Sequence, residues 1–182
     1  MNFRILSLMV AVALLLFVSC KNEDDTVDPT PTLYEKLGGS DLVADPANPG
    51  QMIEAGRLGL RSVVDSTIFV IAADPELSPF FATLLSEVGS GNLTNFAVLS
   101  KNLTDFFCVA TGAENFTYSG LDMVKAHDPA QNPRMAMKSD DADFDQFIAD
   151  VVIGATQNGV PNDLIAEVGA LIETLRPDVV QN

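Results

Sequence analysis

From Leu33 to the C-terminus apolar residues return at steps of three and four, and no run alternates apolar with polar long enough to make a half-buried strand. A chain patterned this way has stripes to bury on helices and no sheet to bury them against, so it is expected to be all-α. The clearest stripe is Phe96, Leu99, Leu103, Phe106 and Phe107, on a helix from about Leu93 to Ala110 that Thr111-Gly112 ends. A second, Phe144, Phe147, Ile148, Val151 and Val152, lies on a helix over Asp141–Asn158 that Ser139-Asp140 caps. Gly159-Val160-Pro161 turns the chain into a last helix running to Leu175. Upstream, a short helix at Leu33–Leu37 stops at Gly38-Gly39, a polar stretch Ser40–Gly50 follows, and a helix spans Met52–Ala73 until Asp74-Pro75 breaks it. Leu77-Ser78-Pro79-Phe80-Phe81 forms an aromatic corner, followed by a Gly- and Ser-containing loop. Leu121–His127 makes a short helix and Asp128–Lys138 a Pro-containing loop.

The first twenty residues have another logic. Met1–Arg4 gives a positive start, Ile5–Phe17 is an apolar run too short for a comfortable membrane span, and Val18-Ser19-Cys20 closes it with small residues. This pattern resembles a lipoprotein signal, which implies that residues 1–19 are removed and that Cys20 carries the lipid; an uncleaved anchor is the alternative. Residues 20–32 are acidic, Pro- and Thr-rich and without apolar period, a linker that cannot fold alone. Within it Lys21-Asn22-Glu23-Asp24-Asp25 resembles the lysine-plus-acidic stretch that sends some Bacteroidetes-type lipoproteins to the cell surface; the plain reading is a solvated tether. The expected organisation is one globular domain, 33–182, lipid-anchored at the cell envelope, on the outer membrane and at its surface if the sorting stretch is read.

A formal net charge of −15 excludes nucleic acid as a partner and disfavours broad contact with anionic lipid, so membrane association is assigned to the acyl group alone. With Cys20 acylated, Cys108 has no disulfide partner and reads as a small buried hydrophobe. His127 is the single histidine, so no Ser-His-Asp, Cys-His or zinc arrangement can be assembled. The acidic group Asp140, Asp141, Asp143 and Asp145 reads as a helix start favoured by the macrodipole rather than a metal site.

Several strings, in one order, resemble group I truncated haemoglobins: Leu33-Tyr34-Glu35-Lys36-Leu37-Gly38-Gly39, Ala73-Asp74-Pro75-Glu76-Leu77-Ser78-Pro79-Phe80-Phe81, Asp105-Phe106-Phe107 with Thr111-Gly112, and Tyr118-Ser119-Gly120 running to Met123 and His127. Asp141-Ala142-Asp143-Phe144, Gly159-Val160-Pro161 and Leu175-Arg176-Pro177-Asp178-Val179 complete the series. The resemblance implies a two-over-two helical sandwich enclosing haem b, with His127 as proximal iron ligand and Met123 on the same helix face against the porphyrin. It implies that Phe81 stacks on the haem at the corner, and that Phe96, Leu99, Leu103, Phe106, Phe107, Tyr118, Phe144, Phe147 and Ile148 complete the lining. Simple core packing is the other reading of each.

The chain departs from that family on the distal side. The position that usually holds a ligand-binding tyrosine falls on Ile68, and the two distal positions of the next helix fall on Leu99 and Leu103. Thr67 or Tyr118 supplies a hydroxyl only if the register shifts by one. An apolar distal pocket holds dioxygen without a hydrogen-bond donor, so peroxidase and nitric-oxide dioxygenase roles are not expected. The loop Asp128–Lys138 is longer than usual in the family, and Met135 and Met137 in it read as loop residues rather than a replacement ligand. The expectation is reversible binding of a diatomic gas, oxygen, NO or CO, for storage, transport or sensing. A haem-free globin fold acting as a protein-interaction module is the alternative, and electron transfer by a six-coordinate haem lacks a second axial residue.

Overall fold

The computed structural model describes residues 30–182; the expected signal segment 1–19, the lipid-bearing Cys20 and most of the 20–32 linker lie outside the described residues. A four-residue helix α1, Leu33–Lys36, is closed at its start by Thr32 and Glu35, each side chain bonding the other's backbone N–H. Next come strands β1, Leu42–Ala44, and β2, Met52–Glu54, and helices α2, Ala55–Ala73, α3, Ala82–Gly89, and α4, Thr94–Ala110, with a 3₁₀ turn at Ser78–Phe81. Helices α5, Met123–His127, α6, Asp141–Gln157, α7, Asn162–Glu173, and α8, Arg176–Val179, complete the chain.

The all-α expectation holds for the body of the fold. Helix α2 packs most extensively on α6 and then on α4, while α7 packs on α6, giving two helices laid over two. Buried Val64, Ile68 and Ile71 from α2 and Val151 and Ala155 from α6 fill the space between. The N-terminus of α6 is built as its sequence indicates: Asp140 accepts from the N–H groups of Ala142 and Asp143, and Asp143 accepts from that of Asp140. Asp141 and Asp145 in turn hold Arg176, so the acidic group there is spent on a cap and an ion-pair cluster.

Four boundaries differ from expectation. Residues 42–54 form an antiparallel hairpin, pairing Val43 with Ile53, so Met52–Glu54 belong to a strand and α2 starts later, at Ala55. Each strand is too short to show a period; only Ile53 is fully buried, and the Asp45 carboxylate, held well below the usual range by the Arg61 guanidinium, fastens the hairpin to α2. Ala82–Gly89 is a helix rather than a loop, docked through buried Leu84. Helix α5 begins at Met123 rather than Leu121, because Asp122 caps it. The last expected helix ends at Glu173, and Arg176–Val179 forms a separate turn.

An ion pair ties α2 to α4. Asp105, 6% exposed, accepts from Arg57 at 2.7 Å, and Lys101 lies on its other oxygen. Burial alone raises the Asp105 carboxyl, but the bonds from Lys101 and Arg57 outweigh it and hold the group below the usual carboxylate range. The Arg57 guanidinium also lies 4.6 Å from the centre of the Phe116 ring. Arg57→Ala strands a buried charge and is expected to cost about 3 kcal/mol, read as a lowered midpoint in urea; an unchanged midpoint would mean that Lys101 alone neutralises Asp105.

Candidate functional site

His127 ends a helix of five residues, and its setting follows from that short element. Asp122 caps the start by accepting from the Lys125 N–H, and its carboxylate pairs with the Lys125 ammonium at 2.7 Å. The helix and the loop after it are fastened at three points. Gln181 donates to the Val124 carbonyl at 2.8 Å, Asn132 donates to the Ala126 carbonyl at 2.7 Å, and the Ala136 N–H donates to the Phe80 carbonyl at 3.1 Å. Arg134 pairs with Glu87 on α3. The long loop after His127 is therefore tied to the aromatic corner, with Met135 packed beside Phe81 and Phe147 on the cluster of Ile71, Leu77 and Phe80. Met137 is 42% exposed.

The His127 ring makes one hydrogen bond, from Nδ1 to the Met123 carbonyl at 2.8 Å. A carbonyl can only accept, so the proton sits on Nδ1 and the lone pair on Nε2. Among the described residues nothing hydrogen-bonds to Nε2. Burial pushes the imidazole below its ordinary pKa, only partly offset by the bond to Met123, so the ring is neutral at pH 7. A neutral imidazole oriented through Nδ1 by a carbonyl, with Nε2 free, is the donor an axial metal site needs.

The other expected lining residues fall into three groups. Phe106 packs edge-on to Phe107 and to Tyr118, with ring centres 5.4 and 5.5 Å apart, and Phe81 and Phe147 each pack against the Ile71, Leu77 and Phe80 cluster. Phe96 pairs with exposed Phe69, and Leu99 and Met123 are half-buried. Phe144 belongs to the core with Val151 and Ile172, the Arg176 guanidinium 4.5 Å above its ring, and Ile148 packs at the edge of the same cluster. Phe144 is the one fully buried member of the expected lining; the rest, His127 included, are half-buried. Half-buried aromatic and aliphatic groups are the kind of apolar surface that a flat macrocycle requires. In donor chemistry and residue type, the residues present fit haem.

Helices α2, α4, α6 and α7 border an apolar cavity of about 50 Å³, with two of the expected distal residues, Ile68 and Leu103, and Phe107 and Phe147 among its walls. Its size suits a diatomic molecule, not a macrocycle, and neither His127 nor Leu99 borders it. Of the two candidate hydroxyls, only that of Tyr118 is committed. Tyr118 donates to the Leu121 carbonyl at 2.6 Å, and Thr67, on the cavity wall, turns its Oγ1 toward Gly154 without a hydrogen-bond partner. Sequence reasoning missed this contact between Thr67 and Gly154; the one signal for it is a glycine in mid-helix, where the residue is otherwise unfavourable.

No protein-family model matches the chain, and no curated protein sequence matches it. Among solved structures it is similar to the truncated haemoglobin of Tetrahymena pyriformis in its Fe(III) form, with a TM-score of 0.60 and 24% identity over 84% of this chain and all of that one. Two single-residue variants of that protein superpose with TM-scores of 0.60 and 0.59 at the same identity and coverage. Helix order, the two-over-two packing and these superpositions together give the chain the fold of the truncated haemoglobins.

Proposed function

We propose that the protein is a haem-binding globin of the group I truncated type that reversibly binds a diatomic gas through iron ligated by His127. We further propose that it works at the cell envelope, lipid-anchored through Cys20. The observation that carries the reading is the single histidine itself, desolvated, oriented through Nδ1 and free at Nε2, in a truncated-haemoglobin fold. Haem iron supplies, when bound, an open coordination position for oxygen, NO or CO. The chain's residues do the rest. Met123 and Asn132 fix the pitch of α5, the aromatic groups exclude water, and Ile68 and Leu103 border a distal cavity of about 50 Å³ without offering a hydrogen bond.

Titrating the purified full-length protein with haemin tests the proposal. A Soret band saturating at one haemin per chain, with a raised unfolding temperature from ligand linkage, is expected. A linear, unsaturated absorbance and an unmoved midpoint would leave only a haem-free interaction domain. The apolar distal wall carries a prediction of its own. Leu103→Gln places an amide in the cavity and is expected to slow oxygen dissociation about tenfold, the value of one hydrogen bond in a dry site, while carbon monoxide dissociation changes little. Equal effects on the two gases would show that size rather than polarity governs release.

A further inference from the structure

Away from His127, an open groove of about 510 Å³ runs between the C-terminal end of α2 and the outer side of α6. Its apolar walls include Phe69, 63% exposed, Ile153, 45% exposed, and Pro75; its floor is Asp74, Gln146 and Asp150. None of these residues is among the expected haem lining, although Phe69 pairs with Phe96, which is. Gln146 donates from Nε2 to Asp74 Oδ2 at 2.6 Å and to Asp150 Oδ1 at 3.3 Å, which fixes the amide with its nitrogen toward both carboxylates. Asp150 is 1% exposed and its second oxygen, Oδ2, has no hydrogen-bond partner.

This arrangement is costly for the folded chain alone. A buried carboxylate is ordinarily paired, and a lone acceptor is ordinarily satisfied. Here burial, with the nearby charges of Asp74 and Glu76, pushes the Asp150 carboxyl up rather than down. Among the described residues no lysine or arginine forms an ion pair with Asp74, Glu76 or Asp150. Each of the other buried carboxylates, Asp45 and Asp105, does have its guanidinium. What the groove lacks is a cation, and its walls specify the kind. Exposed apolar surface beside the carboxylates favours an ammonium or guanidinium group on an apolar chain over a strongly hydrated metal ion, with the Phe69 ring available to its face.

We propose that the groove walled by Phe69, Pro75 and Ile153 and floored by Asp74, Gln146 and Asp150 is a binding site for an organic cation, an ammonium or guanidinium group borne on an apolar chain. Such a cation is carried either by a free amine or guanidine or by a lysine or arginine side chain of another molecule. The carboxylates of Asp74 and Asp150 supply the negative charge the cation pairs with, and the aliphatic part lies against Ile153 and Pro75.

Calorimetric titration of the full-length protein distinguishes these sources. The probes are n-butylguanidinium and the tripeptide acetyl-Leu-Arg-Leu-amide, with n-butanol as uncharged control and calcium chloride as hard-cation control. Both guanidinium probes are expected to bind saturably and neither control to do so. Tighter binding of the peptide assigns the site to a protein side chain, and tighter binding of the free guanidinium to a small molecule. Phe69→Ala, which removes an exposed ring, and Asp150→Asn, which keeps the shape, are each expected to weaken binding about tenfold while the urea midpoint shows each variant folded. Asp163→Asn, which removes the same charge from the surface start of α7, is expected to leave it unchanged. The proposal is overturned if neither guanidinium probe binds, if calcium binds in their place, or if both groove variants bind as tightly as the unaltered protein.

Discussion

His127→Ala is expected to abolish the Soret band of the haemin-loaded protein, with haemin affinity falling more than about 100-fold, while the helical circular dichroism of the unloaded chain is unchanged. The asymmetry follows from where the ring sits. It is half-buried, its one hydrogen bond runs to Met123 on its own short helix, and it belongs to none of the three buried clusters. Removing it costs the fold little and leaves haem without an imidazole anywhere in the chain. The pH dependence has a definite sign. Burial holds the folded-state pKa of His127 below its ordinary value of about 6.5, so the unfolded chain binds the proton more readily than the folded one. The stability contributed by the neutral ring is fully present above that ordinary value. It is lost as the pH falls through the interval down to the folded value, and ligation, which needs the Nε2 lone pair, weakens over the same interval. A Soret band that persists in the alanine variant would remove His127 from the iron and with it the gas-binding proposal.

Gly154→Val is expected to destabilise the protein by about 4 kcal/mol, enough to leave a domain of ordinary stability near its unfolding limit. Helices α2 and α6 make the largest contact in the fold, and they meet where Gly154 faces Thr67. A Cβ at Gly154 would stand 2.9 Å from the Thr67 nitrogen and 3.1 Å from its Cα, against backbone rather than a side chain that can rotate away. Relief requires the helices to separate, which opens the cavity wall formed by Ile68, Phe147 and Val151 and forfeits its packing. Urea unfolding checks this, and a second variant checks the cause. Thr67→Ala removes the hydroxyl nearest Gly154 but not the backbone, so it is not expected to rescue Gly154→Val; restored stability in the double variant would show that the obstruction was only the Thr67 side chain.

The helices that frame the candidate site were legible because each carries its own instructions. Helix α4 shows five apolar residues on one face, α6 a capped acidic start and an apolar face, and α7 a Gly-Val-Pro entry. The hairpin at residues 42–54 was not legible, since three-residue strands show no period and the hairpin depends on Ile53 finding the core and Arg61 reaching Asp45. Helix α3 was obscured by the Gly- and Ser-rich stretch that follows it, and its docking by Leu84 and by the Arg134 pair with Glu87 arises only once the chain has folded back.

By itself the sequence determined the order of the long helices and that one imidazole alone is available to a metal, because periodicity, capping and residue count are local properties. It did not determine the face each helix buries: α4 buries Ser100, Thr104, Asp105 and Cys108 and leaves its apolar stripe half-buried, and Val152 of the α6 stripe is exposed. Tertiary structure decided which partners those faces meet. It set α2 against α6 at Gly154, walled the small apolar cavity with Ile68 and Leu103 but not Leu99, and brought Asp74 to the same amide as Asp150 without a balancing cation. Groups far apart in the chain are brought together by close packing of whole helices, and no local pattern encodes that register.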